Sequence, residues 1–460
     1  KTIFVFKNAD FNYLESNYQP FDVNVDGDYL ELCKSVNEIL YETFETQIPS
    51  AVIDSASTVE KVKNQFNQLP KNDIWWTKNG QDMAWNFTNL HRLFPTVNVY
   101  RNGPVRELKK ELSHEIASYK INTPKGQMSF YDYLHSDEST AMGVVISHQG
   151  KIIFETYPRM KEYEKAIYWS VAKILPATLI RIYEERGLID VTHPIEDYIS
   201  DLNGTSFAGI SIRNILDMAT GLNCSDDYQS KESCYYLYSM TIGDGYRTES
   251  ALDNPYDFVR ETIIERETEA GTKFSYSGLN TFVLAWLVEE ITNMPFQDAV
   301  SKEIWYHIGA EADASFLAPR NGIAVMHGGF MAKMRDLIRF GMLFTPSYGL
   351  VSDKKIISDA HIDLILNGGN PKLLQNLNIP GFEESDIKHN IYQWDQVYDN
   401  DDFFKGGWAG QGLLINPTRD IVAVFTGYKR NEAHHALEIR KILREVLNSI
   451  FDKKDQQTIN

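Results

Sequence analysis

The sequence is short of several features that mark common protein classes. It has only three cysteines in 460 residues, and 45 lysines and arginines against 63 aspartates and glutamates. The resulting formal charge of −18 argues against nucleic-acid binding, which needs a basic surface. No apolar run of 18 residues occurs, so no transmembrane helix is expected. A Walker loop, a dinucleotide fingerprint and a Gly-x-Ser-x-Gly elbow are also missing, which removes nucleotide cofactors and the α/β-hydrolase fold from the leading interpretations.

The few cysteines still favour one arrangement. Cys224 and Cys234 flank a short polar segment and are predicted to close it as a disulfide loop, which leaves Cys33 over. The alternative is three reduced thiols in a cytosolic enzyme. The sequence starts at Lys1 rather than at a methionine, which favours a processed chain. We therefore expect a periplasmic or secreted protein.

The chain is long enough for one large domain or two, and its 43% hydrophobic content is typical of a globular protein. Residues 1–80 form an acidic segment expected to pack on a main domain of residues 81–460. In that domain we predict a strand pair at 142–157, a helix at 170–186, a mainly helical region at about 190–345, a strand pair at 411–427 and a helix at 432–451. Strands at both ends predict an α/β or α+β fold.

Three acidic or histidine-rich stretches have weak claims to function. Residues 22–28 match half of a calcium loop, but Cys33 stands where a bidentate glutamate is needed. A β-turn at Asp26-Gly27 is the favoured interpretation, and a calcium-dependent adhesion module is the alternative. His434 and His435 point about 100° apart on a helix, which favours a solvated face. The acidic run 395–402 is predicted to be a solvated loop. No metal site is therefore predicted.

One local pattern suggests nucleophilic chemistry. Ser170 and Lys173 are three residues apart on a predicted helix, and side chains at that spacing share one face. A neutral amine beside a serine hydroxyl can remove its proton and make it a nucleophile. Ser352 and Lys355 repeat the spacing by chance in a charged loop, so the pattern alone decides little.

Two downstream motifs give Ser170 its support. Tyr276 directly precedes an apolar helix, and Lys405-Gly406-Gly407 leads into the closing strand pair. Ser-x-x-Lys, then this tyrosine, then Lys-x-Gly is the ordered motif set of the serine β-lactamase and penicillin-binding-protein superfamily. The chain resembles especially its class C β-lactamase-related esterases and 6-aminohexanoate-oligomer hydrolases. The likeness covers about residues 80–450 and includes segments 85–95, 210–222 and 328–341.

The resemblance implies a fold and a mechanism. The fold would be a β-lactamase/DD-peptidase-like antiparallel sheet flanked by helices, with a helical insertion. Ser170 would form an acyl-enzyme, and Lys173 and Tyr276 would share the proton transfers, with Lys405 favouring a neutral lysine or a phenolate. The backbone N–H groups of Ser170 and Trp408 would form the oxyanion hole beside Gly407.

Some residues depart from the family pattern. Gly278 stands where the family has an asparagine that contacts a substrate amide carbonyl, and Gly406 replaces a hydroxyl residue. Pro176 is expected to kink the nucleophile helix just after Lys173. Trp169 and Trp408 suggest an apolar acyl pocket, with core packing as the alternative.

These features predict a serine hydrolase acting on a carboxylic ester or small amide, without a cofactor. An aminohexanoate-oligomer amidohydrolase or a D-amino-acid peptidase is the alternative. A different class, a binding or sensor module that is acylated without turnover, also fits the motifs. The partner in each case is a small molecule, and the sequence leaves the oligomeric state open.

Overall fold

The computed structural model describes residues 57–69, 81–245, 248–249, 251–375, 377, 382–430 and 438–458. The calcium half-loop at 22–28, Cys33 and the His434-His435 pair lie outside the described residues. The chain divides into two compact units, Lys1–Val62 and Lys63–Asn460. In the first unit the described residues contain the start of one helix, and all other elements below belong to the second. Among the described residues, no helix is long and apolar enough to cross a membrane.

The described residues contain thirteen α-helices. They are α1 (Val59–Gln68), α2 (Gln81–Leu93), α3 (His114–Ser118), α4 (Phe130–His135), α5 (Ile174–Glu185), α6 (Ile212–Leu216), α7 (Cys234–Ile242), α8 (Pro255–Glu261), α9 (Gly278–Thr292), α10 (Phe296–Glu303), α11 (Met334–Met342), α12 (Asp359–Asn367) and α13 (Glu438–Thr458). Short 3₁₀ turns cover Trp169–Lys173, Ile195–Asp197, Ser200–Leu202, Trp305–His307, Pro346–Leu350 and Pro371–Leu374.

The strands form three sheets among the described residues. They are β1 (Thr96–Val99), β2 (Lys120–Thr123), β3 (Gly126–Ser129), β4 (Ala141–His148), β5 (Lys151–Thr156), β6 (Ala166–Ile167), β7 (Ala314–Leu317), β8 (Phe330–Ala332), β9 (Ile387–Ile391), β10 (Trp394–Tyr398), β11 (Phe403–Gly407), β12 (Gln411–Asn416) and β13 (Ile421–Gly427). The main sheet has the order β5-β4-β13-β12-β11-β10-β9, and every neighbouring pair is antiparallel. The predicted antiparallel sheet flanked by helices is thus confirmed.

The main sheet separates two apolar cores because alternate residues of a strand face opposite sides. Phe403 and Leu413 belong to a large core with α5, α9 and α11. Phe404 and Leu414, the next residue along each strand, belong to a second core with the C-terminal helix α13. Ser170 precedes α5, so the proposed nucleophile lies on the side of the larger core.

The helix that follows Ser170 begins later than predicted, and this changes the role of Pro176. Residues 169–173 form a 3₁₀ turn, and the α-helix starts at Ile174. Pro176 therefore lies in the first helical turn, where a backbone N–H has no partner within the helix. Pro176 therefore does not interrupt the α-helix, which runs unbroken from Ile174 to Glu185.

The region 190–345 contains strands as well as the predicted helices. Strands β7 and β8 pair there and join β1 and β6 in a four-stranded antiparallel sheet. These strands are two to four residues long, which is too short to show a period-two pattern in the sequence. Strand β6 leads directly to the turn that carries Ser170, so this small sheet positions the proposed nucleophile.

Candidate active site

A pocket of about 700 Å³ contains Ser170 in its wall. Several of the predicted site residues line it with Ser170, namely Trp169, Tyr276, Gly407 and Trp408. Its wall also carries four aspartates, which are Asp226, Asp227, Asp244 and Asp395. The volume lies within the range of small-molecule sites.

Ser170 and Lys173 meet as the spacing predicts. Lys173 Nζ donates to Ser170 Oγ at 3.1 Å and to the backbone oxygen of His327 at 3.0 Å. The lysine is fully buried, whereas Ser170 is half-buried at the pocket wall. The 3₁₀ turn holds both residues within hydrogen-bond reach, which is the geometry of a nucleophile and its base.

Tyr276 lies between the two lysines. Lys405 Nζ donates to Tyr276 Oη at 3.1 Å, and Lys173 Nζ lies 5.1 Å from the centre of the tyrosine ring. The Ser170 hydroxyl also lies near Tyr276, where it opposes the rise in the tyrosine pKa. The hydroxyl of Tyr276 therefore lies close to both Ser170 and Lys405, as a group that relays a proton must do.

The pKa shifts of these groups favour a lysine base. Burial lowers the pKa of Lys173 to about 8, against the opposing effect of Asp226, and Lys405 lowers it further. Burial raises the pKa of Tyr276 well above 10, and the charges of Asp395 and Asp226 add to that effect. Of the two predicted states, the neutral lysine fits and the phenolate does not.

Strand β11 and the turn before Ser170 approach each other closely. A Cβ on Gly407 would lie 2.2 Å from the backbone oxygen of Tyr168, so only glycine fits there. This contact brings the backbone that follows Gly407 next to the nucleophile turn. Trp169 and Ala409 have φ angles of 46° and 61°, in the left-handed region that non-glycine residues rarely adopt. Strained backbone therefore flanks both Ser170 and Trp408.

Three aromatic rings pack beside Ser170. The ring centroids of Trp169 and Trp408 are 6.0 Å apart, and Phe87 of α2 lies within 5.9 Å of both. Both tryptophans line the pocket. They therefore serve as an apolar pocket wall and as core packing at once, so the two sequence interpretations are compatible.

Gly278 is buried, and its surroundings leave no space for a side chain. A Cβ there would lie 2.7 Å from Tyr235 Oη and 2.9 Å from His327 Cδ2. The Gly278 N–H donates instead to Asp226 Oδ1 at 2.5 Å. The space of the family's asparagine side chain is thus occupied by Tyr235 and His327.

The predicted disulfide between Cys224 and Cys234 is present, with a Cα–Cα distance of 5.0 Å. It closes the loop that carries Asp226, whose carboxylate lies 3.7 Å from Lys173 Nζ. Ser277 Oγ donates to the Cys224 backbone oxygen at 2.5 Å, which ties the same loop to the start of α9. The disulfide loop therefore belongs to the surroundings of Lys173.

Asp226 and Asp395 are site residues that sequence reasoning missed. Asp395 Oδ1 accepts a hydrogen bond from Lys405 Nζ at 2.6 Å, and its Oδ2 accepts one from the Gly406 N–H at 3.0 Å. The prediction of a solvated loop at 395–402 is wrong for Asp395, which belongs to β10, and for Asp402, which is buried against Asn416, whereas Asp399 lies in an exposed turn. The aromatic and β-branched residues beside Asp395, which are Trp394, Val397 and Tyr398, were the available signal for a strand.

The described residues contain no group of three or more His, Cys, Asp or Glu side chains arranged to hold a metal ion. The second Ser-x-x-Lys match also lacks an active-site arrangement. Ser352 is buried, and Lys355 pairs with Asp359 at 2.5 Å on the surface. Ser170 lines the pocket described above, and neither Ser352 nor Lys355 does.

Comparisons with known proteins agree with this geometry. The chain is 23% identical over 359 residues to 6-aminohexanoate-dimer hydrolase of Paenarthrobacter ureafaciens, covering 77% of this chain and 87% of the relative. It is 20% identical over 215 residues to a beta-lactamase of Providencia stuartii, about half of each chain. A solved structure from Bacillus anthracis, proposed to be a 6-aminohexanoate-dimer hydrolase, superimposes with a TM-score of 0.71. That match has 22% identity and covers 85% of this chain and 98% of the other.

The family model described as Beta-lactamase matches residues 132–446, which is more than half of the chain. The match contains the turn with Ser170, the start of α9 and strand β11. On this evidence the chain belongs to the Beta-lactamase family and is an enzyme, a hydrolase of the β-lactamase type.

Proposed function

We propose that this protein hydrolyses a carboxylic ester or small amide through an acyl-enzyme on Ser170. The observation that carries the proposal is the contact of Ser170 with a buried lysine whose pKa is lowered to about 8. At neutral pH such a lysine is deprotonated in a useful fraction of molecules, so it can accept a proton. The hydroxyl it activates faces a pocket large enough for a small substrate.

The proton transfers follow from these contacts. Neutral Lys173 takes the Ser170 hydroxyl proton as Oγ attacks the substrate carbonyl carbon. When the tetrahedral intermediate collapses, the proton held by Lys173 passes by way of the neutral phenol of Tyr276 to the departing alcohol or amine. Water then attacks the acyl-enzyme and gives a proton to neutral Lys173. That proton returns to Ser170 Oγ as the carboxylic acid leaves, which restores the free enzyme. Lys405 and Asp395 hold Tyr276 in place during both steps.

The N–H groups of Ser170 and Trp408 are proposed as the oxyanion hole. Support comes from the close contact between Gly407 and the Tyr168 backbone, which brings the two segments together. The strained φ angles of Trp169 and Ala409, beside these two donors, add to it, since such strain clusters at functional sites. Each donor of this type contributes about 3 kcal/mol of transition-state stabilisation.

The aspartates in the pocket wall favour one amide substrate class as the second candidate. They suit a substrate that carries an amino group, and the relative with 87% coverage is named a 6-aminohexanoate-dimer hydrolase. The replacement of the family's asparagine by Gly278 weighs against β-lactam and peptidoglycan-peptide substrates. An ester and an amino-amide therefore remain the two substrates to compare.

The experiment is labelling with a fluorophosphonate probe, followed by turnover of p-nitrophenyl esters and of 6-aminohexanoate dimer. We expect the parent to be labelled, Ser170→Ala to lose label and turnover, and Ser352→Ala, the second Ser-x-x-Lys serine, to retain both. Label without turnover of any substrate would favour the sensor interpretation. A parent that takes no label would overturn the assignment of Ser170.

We also propose that the protein works in a periplasmic or extracellular compartment. The disulfide between Cys224 and Cys234 supports this, because such bonds persist mainly in oxidising environments.

A further inference from the structure

Asp226 contacts both halves of the proposed proton-transfer machinery. Its Oδ2 lies 3.7 Å from Lys173 Nζ, and its Oδ1 accepts the Gly278 N–H at 2.5 Å. Its own N–H donates to the backbone oxygen of Tyr276 at 3.1 Å. One residue of the disulfide loop therefore touches the lysine and the segment that carries the tyrosine.

The contact with Gly278 replaces an ordinary helix cap. Gly278 is the first residue of the 15-residue helix α9, and the preceding Ser277 makes no side-chain hydrogen bond to the helix. Ser277 Oγ is used for the Cys224 backbone oxygen instead. The Asp226 carboxylate thus satisfies an N–H group that the helix leaves open, and a negative charge is favourable at this end.

Asp226 also compensates for the small residue at position 278. No side chain fits there, because Tyr235 and His327 occupy the space. A group that holds the start of α9 against Lys173 must therefore come from another segment of the chain. The disulfide anchors that segment at Cys224, which precedes Asp226 by only one intervening residue.

We propose that Asp226 is a positioning residue for the reaction at Ser170, which holds Lys173 and the Tyr276–Gly278 segment in register and adjusts the charge of Lys173. This inference rests on the proposed function of Ser170. Asp226 does not contact the substrate carbonyl in this role, and it acts through the lysine and the helix start.

The charges around Lys173 determine how loss of the Asp226 carboxylate should change the pKa of the lysine. Burial lowers the lysine pKa, Lys405 lowers it further, and Asp226 opposes both as the largest of the acidic contributions. Asp395 and Asp244 oppose them less strongly. Tyr276 and His327 are further neighbours of Lys173, whose Nζ lies 5.1 Å from the centre of the Tyr276 ring and donates to the His327 backbone oxygen. Removal of the Asp226 charge should therefore lower the lysine pKa, because an opposite charge within about 4 Å typically shifts a pKa by about 1–3 units.

The substitution Asp226→Asn removes the negative charge of the side chain and nearly keeps its shape. The amide oxygen can still accept the Gly278 N–H, while the negative charge is gone. We expect the rate of fluorophosphonate labelling to rise with pH to a plateau in the parent and in D226N. The midpoint in D226N should lie about one pH unit or more below that of the parent. Glu232→Gln removes the same charge from an exposed position of the same loop, so its midpoint should equal the parent value.

Asp226→Glu tests the positioning role and covers the case in which D226N fails to fold. The glutamate keeps the negative charge, so the midpoint of the pH profile should equal that of the parent. Its longer side chain displaces the contact with the Gly278 N–H, which should lower the plateau rate about tenfold or more, as misplacement of a reacting group does. A D226N midpoint equal to the parent value, or a D226E profile identical in midpoint and plateau, would overturn the inference. A parent without label overturns the function of Ser170 and this inference together, so the two failures are distinguishable.

Discussion

Lys173 is fully buried, and burial lowers its pKa from the ordinary 10.5 to about 8. As a base it must be neutral, and the neutral fraction falls about tenfold for each pH unit below the pKa. We therefore expect the rate of Ser170 acylation to rise from about pH 6 through a midpoint of about 8 and to level off above about pH 9. Labelling rates with a fluorophosphonate probe across pH 5–10 measure this directly.

The matched variants are Lys173→Gln and Lys355→Gln. The first removes the proposed base and should lower the acylation rate by about 10²–10⁴-fold at every pH. The second changes the lysine of the Ser352–Lys355 match, which is paired with Asp359 on the surface, and should leave the profile unchanged. A parent profile that is flat from pH 6 to pH 10, or one with its midpoint near 10, would contradict the lysine base.

The sequence predicts some residues of the site and not others, for a physical reason. Ser170 and Lys173 meet through local helical spacing, which is visible in the sequence. Tyr276 and Lys405 were found through the order of family motifs. Asp226 was not found, because its contact with Lys173 depends on how a disulfide loop closes in three dimensions.

At the scale of elements, too, the sequence predicts structure built from neighbouring residues but not structure that depends on contacts between distant segments. The hairpin of β4 and β5 and the pair of β12 and β13 were predicted, since their apolar residues and turn residues are adjacent in sequence. The acidic run 395–402 predicts a loop at Asp395, whereas its place in β10 depends on pairing with β11 and on its contact with Lys405. The sequence also predicts a kink at Pro176, because it gives no signal of the 3₁₀ turn that precedes the α-helix.

The disulfide loop is the element whose removal should affect both stability and activity. Replacing Cys224 and Cys234 with serine releases a loop closed across a sequence separation of 10, which should cost about 3 kcal/mol of unfolding free energy. It should also reduce the acylation rate, because the loop carries Asp226. Thermal unfolding and labelling measured with and without dithiothreitol test this.

The double variant supplies its own control for that experiment. Dithiothreitol should lower the Tm of the parent and leave the Tm of the variant unchanged, since the variant has no bond to reduce between these positions. Mass measurement of the alkylated parent, before and after reduction, should show two cysteines becoming accessible. An equal response of parent and variant to reductant would contradict a stabilising disulfide.

At the scale of the whole molecule, the main sheet joins distant segments of the chain. Strand β4 pairs with β13, so residues from near 145 and near 424 are neighbours within it. Lys405 lies on β11 of this sheet, and the turn that carries Ser170 packs against the same strand where Gly407 contacts the Tyr168 backbone. Stability of the sheet is therefore a condition for the site.

The C-terminal helix α13 covers one face of that sheet. Leu443 is fully buried in the second core, with Phe404 of β11 and Phe425 of β13 in the same cluster. Leu443→Ala leaves a cavity and should cost about 3 kcal/mol of unfolding free energy. Lys441→Ala changes an exposed position of the same helix and should alter stability by less than about 0.5 kcal/mol. Chemical denaturation followed by tryptophan fluorescence measures both.

Because Leu443 lies across the sheet from Ser170, the labelling rate of the folded Leu443→Ala protein should equal that of the parent well below its Tm. A loss of labelling in the fully folded variant would show that this core adjusts the site directly, rather than only holding together the sheet on which the site is built.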